Sequence, residues 1–365
     1  MIGALARIVR SARLLLLLCA LGACGLHRSS REGADLPAPT VEGPPASPTR
    51  SDPHGDQGFV LPGEFEPTQE LFLPWDEYLT EFYLQILEAA TPVVPVTVLI
   101  DPSQPPEVLL SAMAERRIPP RNFRLVTVPI ESNWLRDYGP LVVRGRGGQR
   151  KVVKFGYPSN AVNNLLVARL RKVLGQSWPL EELPFRLEGG WILSNGGGIC
   201  AVTDRPYAVA GEERAEINAA LARHLGCKKL VVLEALERDP TAHVDMFLAI
   251  TGRNTALVGR FSPAFGGQDA ARLDRSAARL EEAGFAVERI PMPEGPGPAP
   301  RTYTNLLAIN GAVLVPVYAD AREHEARALQ IIARAYPGRR IRPIDSTEII
   351  KWNGAVHCVT MSVAR

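Results

Sequence analysis

The sequence predicts an α/β domain in which hairpins and helices alternate, and three observations carry that reading. From residue 58 onward, short runs rich in Val, Ile and Leu recur between turn residues, the pattern of buried strands. Apolar stripes at helical spacing separate them: Ile217, Leu221 and Leu225 form one, and Leu273, Ala277 and Leu280 form another that Gly284 would close. Asn195-Gly196 stands between two apolar runs and signals a hairpin. A hairpin demands an antiparallel pair, so a purely parallel doubly wound sheet fits less well.

Taken in order, strands are expected at Val93–Ile100, Leu141–Arg144, Lys151–Phe155, Ile199–Thr203, Lys229–Leu233, Ala256–Gly259 and Ala312–Tyr318. Helices are expected at Asp76–Ala90, Glu107–Arg117, Val162–Leu174, Glu212–Leu225, Gln268–Ala283 and Glu323–Tyr336. The chain of 365 residues is 46% hydrophobic, enough to bury a sizeable core. Lys and Arg number 41 against 39 Asp and Glu, a balance that gives no sign of a nucleic-acid surface.

The beginning of the chain reads differently. Arg7, Arg10 and Arg13 precede a short apolar run from Leu14 to Leu21, well below the ~20 residues a membrane-spanning helix needs. The run ends in Leu21-Gly22-Ala23-Cys24, which resembles the bacterial lipobox. Residues 1–23 are therefore expected to be an export signal, with Cys24 lipidated at the mature N-terminus. A plain secretory signal is the alternative. Residues 24–57 are expected to be a disordered tether, because their Pro, Ser and Gly leave too little apolar surface to offset chain entropy. Residues 58–365 then form one folded domain, exported and held to a bacterial membrane only through its lipid. Of five cysteines, Cys19 leaves with the signal, Cys200 and Cys227 are free to pair in an oxidising compartment, and Cys358 is the thiol to suspect.

Five places concentrate reactive side chains: Trp134-Leu135-Arg136-Asp137-Tyr138-Gly139-Pro140, Glu188-Gly189-Gly190, His243-Val244-Asp245, Tyr303-Thr304-Asn305, and Asn353-Gly354-Ala355-Val356-His357-Cys358. Each lies near an apolar run. Taken singly, each also fits a bland role, such as a turn, an edge strand or a surface ion pair. If residues 243–245 are strand, His243 and Asp245 share a face, which leaves a metal site open. Together the five suit a guanidinium, which is planar, cationic and weakly electrophilic. Opening it takes carboxylates to grip its nitrogens, a thiolate to attack, and a histidine to move protons.

On these residues the chain resembles the agmatine deiminase and bacterial peptidylarginine deiminase family of the guanidine-modifying superfamily. The likeness runs from Leu61-Pro62-Gly63-Glu64-Phe65-Glu66-Pro67 and Trp75 to the C-terminus, through the ordered set WLRDYGP, EGG, HVD, YTN and GAVHC. The resemblance implies a five-bladed pseudo-symmetric α/β propeller of ββαβ units around a central site. It implies Cys358 as nucleophile, His243 as general acid and base, and Glu188 as the group orienting that histidine. It further implies Asp137 and Asp245 as the guanidinium clasp, Asn305 beside the thiol, and Trp134 as an aromatic wall. The substrate would be a small guanidino compound or peptidyl-arginine, hydrolysed to a ureido product and ammonia through a thiouronium, with no cofactor and no metal at His243 and Asp245.

The chain also departs from the family. Lys351-Trp352 occupy a stretch usually rich in glycine, and Lys351 is a candidate substrate contact there. The segment Lys154–Tyr157 with residues 158–160 lacks both the agmatine-branch pattern and the arginines that hold a terminal carboxylate in the peptidyl branch. Tyr138 and Asn305 follow the peptidyl branch, and agmatine breakdown toward putrescine is expected inside a cell, so agmatine is expected to be a poor substrate. Two other readings stand beside the hydrolase: a lipoprotein that binds guanidino compounds without turnover, and an amidinotransferase. A serine hydrolase and a zinc protease are disfavoured, because neither G-x-S-x-G nor H-E-x-x-H occurs.

Overall fold

The computed structural model describes residues 58–157, 161–173, 177–209, 213–295 and 300–365. The signal, Cys24 and the tether lie outside the described residues. Within them, no helix is long and apolar enough to cross a membrane.

Five small sheets share one plan. In each, a short strand pairs antiparallel with the next, and a helical crossover returns the chain to a third strand parallel to the second. The first sheet to complete in sequence order combines β4 (Leu141–Arg144), β5 (Arg150–Gly156) and β6 (Leu180–Arg186). The next combines β7 (Ile192–Ser194), β8 (Ile199–Thr203) and β9 (Lys229–Leu233). Then come β10 (Leu248–Gly252), β11 (Thr255–Arg260) and β12 (Ala286–Pro291). They are followed by β13 (Leu307–Ile309), β14 (Ala312–Val317) and β15 (Arg340–Asp345). The last sheet joins the two chain ends: β16 (Met361–Ala364) pairs antiparallel with β1 (Thr68–Pro74), which pairs parallel with β2 (Val96–Ile100) and, beyond it, β3 (Phe123–Thr127). This is the five-bladed α/β propeller.

Burial separates the edges of each blade. β7 and β13 are buried throughout, whereas the third strands β6 and β15 carry mostly exposed or half-exposed residues. The first strand of each unit therefore faces inward and the third lies outside. The helices cover the blades with amphipathic faces. Gln268–Glu282 buries Leu273, Ala277 and Leu280, and Glu325–Ala335 buries Ala328, Ile331 and Ile332. A fully buried Leu or Ile contributes about 1.5–3 kcal/mol, so these stripes hold the crossovers in place.

Two local expectations are revised. The apolar run of Val93–Ile100 becomes strand only from Val96, and the preceding residues form a turn. His243 and Asp245 are not in a strand: Val244–Met246 is a single 3-10 turn, and β10 begins at Leu248. Cys200 and Cys227 are joined by a disulfide with Cα atoms 5.5 Å apart, tying β8 to the residues just before β9. Closing a loop of 27 residues is worth roughly 3.5 kcal/mol on the chain-entropy account.

Candidate active site

Each of the five sequence motifs occupies the same place in its blade, the segment just before the inward-facing first strand. Asp137 precedes β4, Glu188 precedes β7, His243 and Asp245 precede β10, Asn305 precedes β13, and Cys358 precedes β16. Pseudo-symmetry thus delivers side chains distant in sequence to one centre.

Local chemistry fixes each segment. The Asp239 carboxylate accepts from the amides of Thr241 at 3.0 Å and His243 at 3.0 Å, which folds the loop that presents the imidazole. Ala242 adopts φ 57°, a left-handed conformation that costs a non-glycine residue about 1–2 kcal/mol. The Asn305 amide does two jobs. Its oxygen accepts from the His357 amide at 3.0 Å, and its nitrogen donates to Cys358 Sγ at 3.1 Å. Gly190 is required by close approach: a Cβ there would lie 2.4 Å from His243 Nδ1.

Asp137, Glu188, His243 and Cys358 line one cavity of about 320 Å³ with Trp134, Tyr157 and Trp191. Asp245 lies buried beneath Cys358, its Oδ2 3.9 Å from Sγ. His243 Nε2 stands 2.9 Å from Glu188 Oε2 and 3.7 Å from Asp137 Oδ1. Asp137 Oδ1 accepts from the Gly190 amide at 3.1 Å. Beside the thiol, His243 Nδ1 and Asp245 Oδ1 are buried without a hydrogen-bond partner.

The electrostatics are those of a crowded acidic pocket. Burial, together with the charges of Glu188 and Asp245, pushes Asp137 up to about 7, against the pull of His243. Burial alone would lower His243, but Asp137, Cys358 and Glu188 outweigh it and hold the imidazole protonated well above its ordinary range. Burial and Asp245 push the Cys358 thiol up to about 12, with His243 opposing. His243, Asp245 and Cys358 present ligand atoms within 4.8 Å of one another, as do Asp137, Glu188 and His243. Either trio could hold a metal ion, but the same groups are those that a thiol-dependent attack on a cation requires.

Lys351 is not brought to the cavity. It sits on the surface, exposed, with Nζ 2.7 Å from Glu348 Oε1, because the turn Ile349–Trp352 aims it outward. Trp352 is also exposed, and Asn353 is the residue of this stretch that lines the cavity. The expectation that no arginine stands near Tyr157 is likewise overturned. Arg186, at the end of β6, and Arg205, just after β8, line the same cavity from other parts of the chain. Tyr138 is buried against Tyr157 and donates to the Ser132 carbonyl at 2.5 Å, outside the cavity lining.

Sequence reading overlooked His357, Glu64 and Arg136 as individual residues, although all three lie inside quoted motifs. His357 Nδ1 is 2.6 Å from Asp245 Oδ2, and its Nε2 meets Glu64. Glu64 also accepts from Arg136 Nη1 at 2.5 Å. The signal was present: a charged triplet embedded in otherwise apolar motif segments.

A thiol, an imidazole and a set of carboxylates, gathered by the inner loops of a five-bladed propeller, define a hydrolytic deiminase of guanidine groups. The chain matches the Porphyromonas-type peptidyl-arginine deiminase family over residues 60–363, and it belongs to that family. It is similar to the agmatine deiminase of Pseudomonas putida, 26% identical over 85% of this chain and 96% of that relative. Among solved structures, the agmatine deiminase of C. jejuni matches with a TM-score of 0.73 at 22% identity, covering 84% of this chain and 96% of that one. The agmatine deiminase of Enterococcus faecalis matches with a TM-score of 0.74 at 20% identity, covering 84% and 96%.

Proposed function

We propose that this deiminase opens a guanidino compound by thiol attack, with the roles divided among the residues of the cavity. One observation carries the reading. Around Asp245 and the thiol, the carboxylates of Asp137, Glu188, Asp245 and Glu64 share three cationic partners, His243, His357 and Arg136, and among the described residues the cavity's two arginines, Arg186 and Arg205, form no ion pair with any of the four. Four carboxylates share three cations, so where Asp137 is ionised, above about pH 7, one negative charge beside the Cys358 thiol is unmatched. A bound guanidinium matches it, gripped by Asp137 and Asp245, whose unpartnered Oδ1 is ready to accept its N–H.

The chemistry then follows from the geometry. A bound cation offsets Asp245 and Asp137, two of the charges that keep the thiol protonated, and so favours the thiolate, whose proton leaves to solvent through the cavity. Sγ attacks the guanidinium carbon. Protonated His243, oriented by Glu188, gives its proton to the departing nitrogen, and ammonia leaves a thiouronium on Cys358. Neutral His243 next takes a proton from water, the hydroxide adds to the same carbon, and collapse releases the ureido product and the thiol. Asn305 steadies Sγ, and Trp134 flanks the aliphatic stem.

Arg186 and Arg205 favour a substrate with an anionic far end. The Arg186 side chain is exposed and has no hydrogen-bond or ion-pair partner among the described residues, while the Arg205 side chain reaches only the Pro240 carbonyl at 3.5 Å. Both guanidinium groups would repel the second cation of agmatine and would suit a carboxylate. Export through the lipobox-like Cys24 is part of the same proposal, supported by the Cys200–Cys227 disulfide, which persists in oxidising compartments.

The test is a panel of agmatine, free arginine, a peptide ending in arginine and its amide, read by mass for the amidine-to-urea change. Agmatine is expected to have the lowest kcat/KM, and Arg186→Ala with Arg205→Ala should narrow the gap between acid and amide. Agmatine leading by tenfold or more would reverse the substrate assignment. Cys24→Ser should move the full chain from the membrane fraction to the soluble fraction; continued sedimentation with membranes would refute the anchor.

A further inference from the structure

The segment 58–67 precedes the first blade and belongs to none of them. It crosses several blades: Val60 bridges to Arg144, Leu61 N donates to the Leu225 carbonyl at 2.8 Å, and Ser194 Oγ donates to the Leu61 carbonyl at 2.7 Å. Arg339 donates to the Phe65 carbonyl, so the segment also reaches the blade of β13–β15. A strap pinned to three blades carries one residue toward their common centre, Glu64.

There Glu64 meets a closed set of charges. Its Oε1 accepts from Arg136 and its Oε2 faces His357 Nε2. His357 Nδ1 lies 2.6 Å from Asp245 Oδ2, and Asp245 Oδ1 is left without a partner. An ionised carboxylate only accepts, so a histidine with a carboxylate at each nitrogen donates from both. The groups facing His357 are Glu64 on the strap, Arg136 before β4, Asp245 before β10, Tyr336 at the end of the helix Glu325–Ala335, and Cys358 beside it in sequence. Burial and Arg136 pull His357 down, yet Glu64 and Asp245 outweigh them and raise it. Burial would raise Glu64, but Arg136 and His357 hold it at about 2. His357 does not line the substrate cavity; it lines a second, small pocket together with Glu64, Asp245 and Tyr336.

We propose that Glu64, Arg136 and His357 form a positioning relay that fixes one oxygen of Asp245 and leaves the other aimed at the substrate cation. The inference rests on the deiminase reading of the cavity. Glu64 enters from a segment outside the repeated blades, so the strap is a working part of the clasp as well as a closure of the fold. Arg136 holds Glu64, Glu64 holds His357, and His357 holds Asp245. None of the three touches substrate.

The test compares Glu64→Gln, Glu64→Asp and His357→Gln with the unaltered protein. Glu64→Gln is expected to raise KM roughly tenfold to hundredfold, the range found when the outer partner of an oriented ligand is removed, with a smaller change in kcat. Its binding of a neutral ureido analogue should be unchanged, and Glu64→Asp should restore part of the loss. Without Glu64 the imidazolium loses a stabilising charge, so the alkaline limb of kcat/KM should move down by roughly one pH unit. A Glu64→Gln enzyme with wild-type KM and wild-type alkaline limb, changed only in Tm, would overturn the proposal. A second readout needs no variant: ring ¹⁵N NMR of histidine-labelled protein should find both His357 nitrogens protonated at about pH 8. A neutral ring there would equally overturn it. If the unaltered protein turns over no guanidino compound, the functional reading fails and the NMR result alone decides the relay.

Discussion

His243 and His357 make an instructive pair. Each is buried and each contacts carboxylates, yet the two sides of Asp245 on which they stand are built to different ends. His357 has a carboxylate at both nitrogens, and its surroundings are balanced: Glu64 and Asp245 against Arg136 and the imidazolium. His243 has one nitrogen on Glu188 and the other unpartnered, at the edge of a cavity, with the Asp137 and Glu188 carboxylates sharing its one imidazole. A satisfied histidine can only hold its neighbour. A half-satisfied one, beside a thiol and short of positive charge, can pass a proton. Histidine identity and burial are the same in both places; the number of filled hydrogen-bond sites separates machinery from scaffold.

The comparison is broken most severely at the thiol. Cys358→Ala should abolish turnover with Tm near wild type, since no other group lining the cavity replaces a soft nucleophile. His243→Gln should come close to it, with a loss of about 10²–10⁴-fold in kcat, whereas His357→Gln should act mainly on KM. Equal kcat losses from the two histidines, in stopped assays at saturating substrate, would erase the distinction between them.

pH sharpens the contrast further. Asp137 is raised from 3.8 to about 7, so its contribution to stability is present below pH 3.8 and is lost as pH rises through about 7. Glu64 is lowered from 4.5 to about 2, so its contribution is present above pH 4.5 and is lost as pH falls toward 2. A bound guanidinium offsets the first loss. Its stabilisation of Cys358→Ala, read as a Tm shift, should therefore be larger at about pH 8 than at about pH 5.5. The smallest effect belongs to the outer scaffold: reducing the Cys200–Cys227 disulfide should lower Tm while kcat/KM of the surviving folded protein stays unchanged.

How much of this was legible in sequence follows the same inside–outside divide. The central strands β2, β5, β8, β11 and β14 were foreseen, because burial on both faces leaves continuous apolar runs. Of the outer strands, β9 was foreseen at Lys229–Leu233, whereas β3, β6, β12 and β15 were not. Sequences such as Leu180–Arg186, with Glu181, Glu182 and Pro184, look like loop, since an exposed edge strand tolerates charge and proline. Within the site, the motif residues at the loop tips stood out by resemblance. The role of Glu64 did not, because nothing in a one-dimensional pattern says that a glutamate before the first blade reaches the centre. Lys351 misled for a related reason: proximity in sequence to Cys358 suggested a cavity contact, and one 3-10 turn aimed the side chain away.

Whether the unmatched carboxylate beside the thiol binds a cation can be measured directly. In Cys358→Ala, where turnover is blocked, a guanidino compound and its ureido counterpart of nearly identical shape can be titrated side by side by calorimetry. The cation should bind more tightly by tenfold or more, and Asp245→Asn introduced into the same background should remove most of that margin, because a buried charge pair loses about 2–5 kcal/mol when one partner is neutralised. Equal affinity for the charged and neutral compounds would contradict the account.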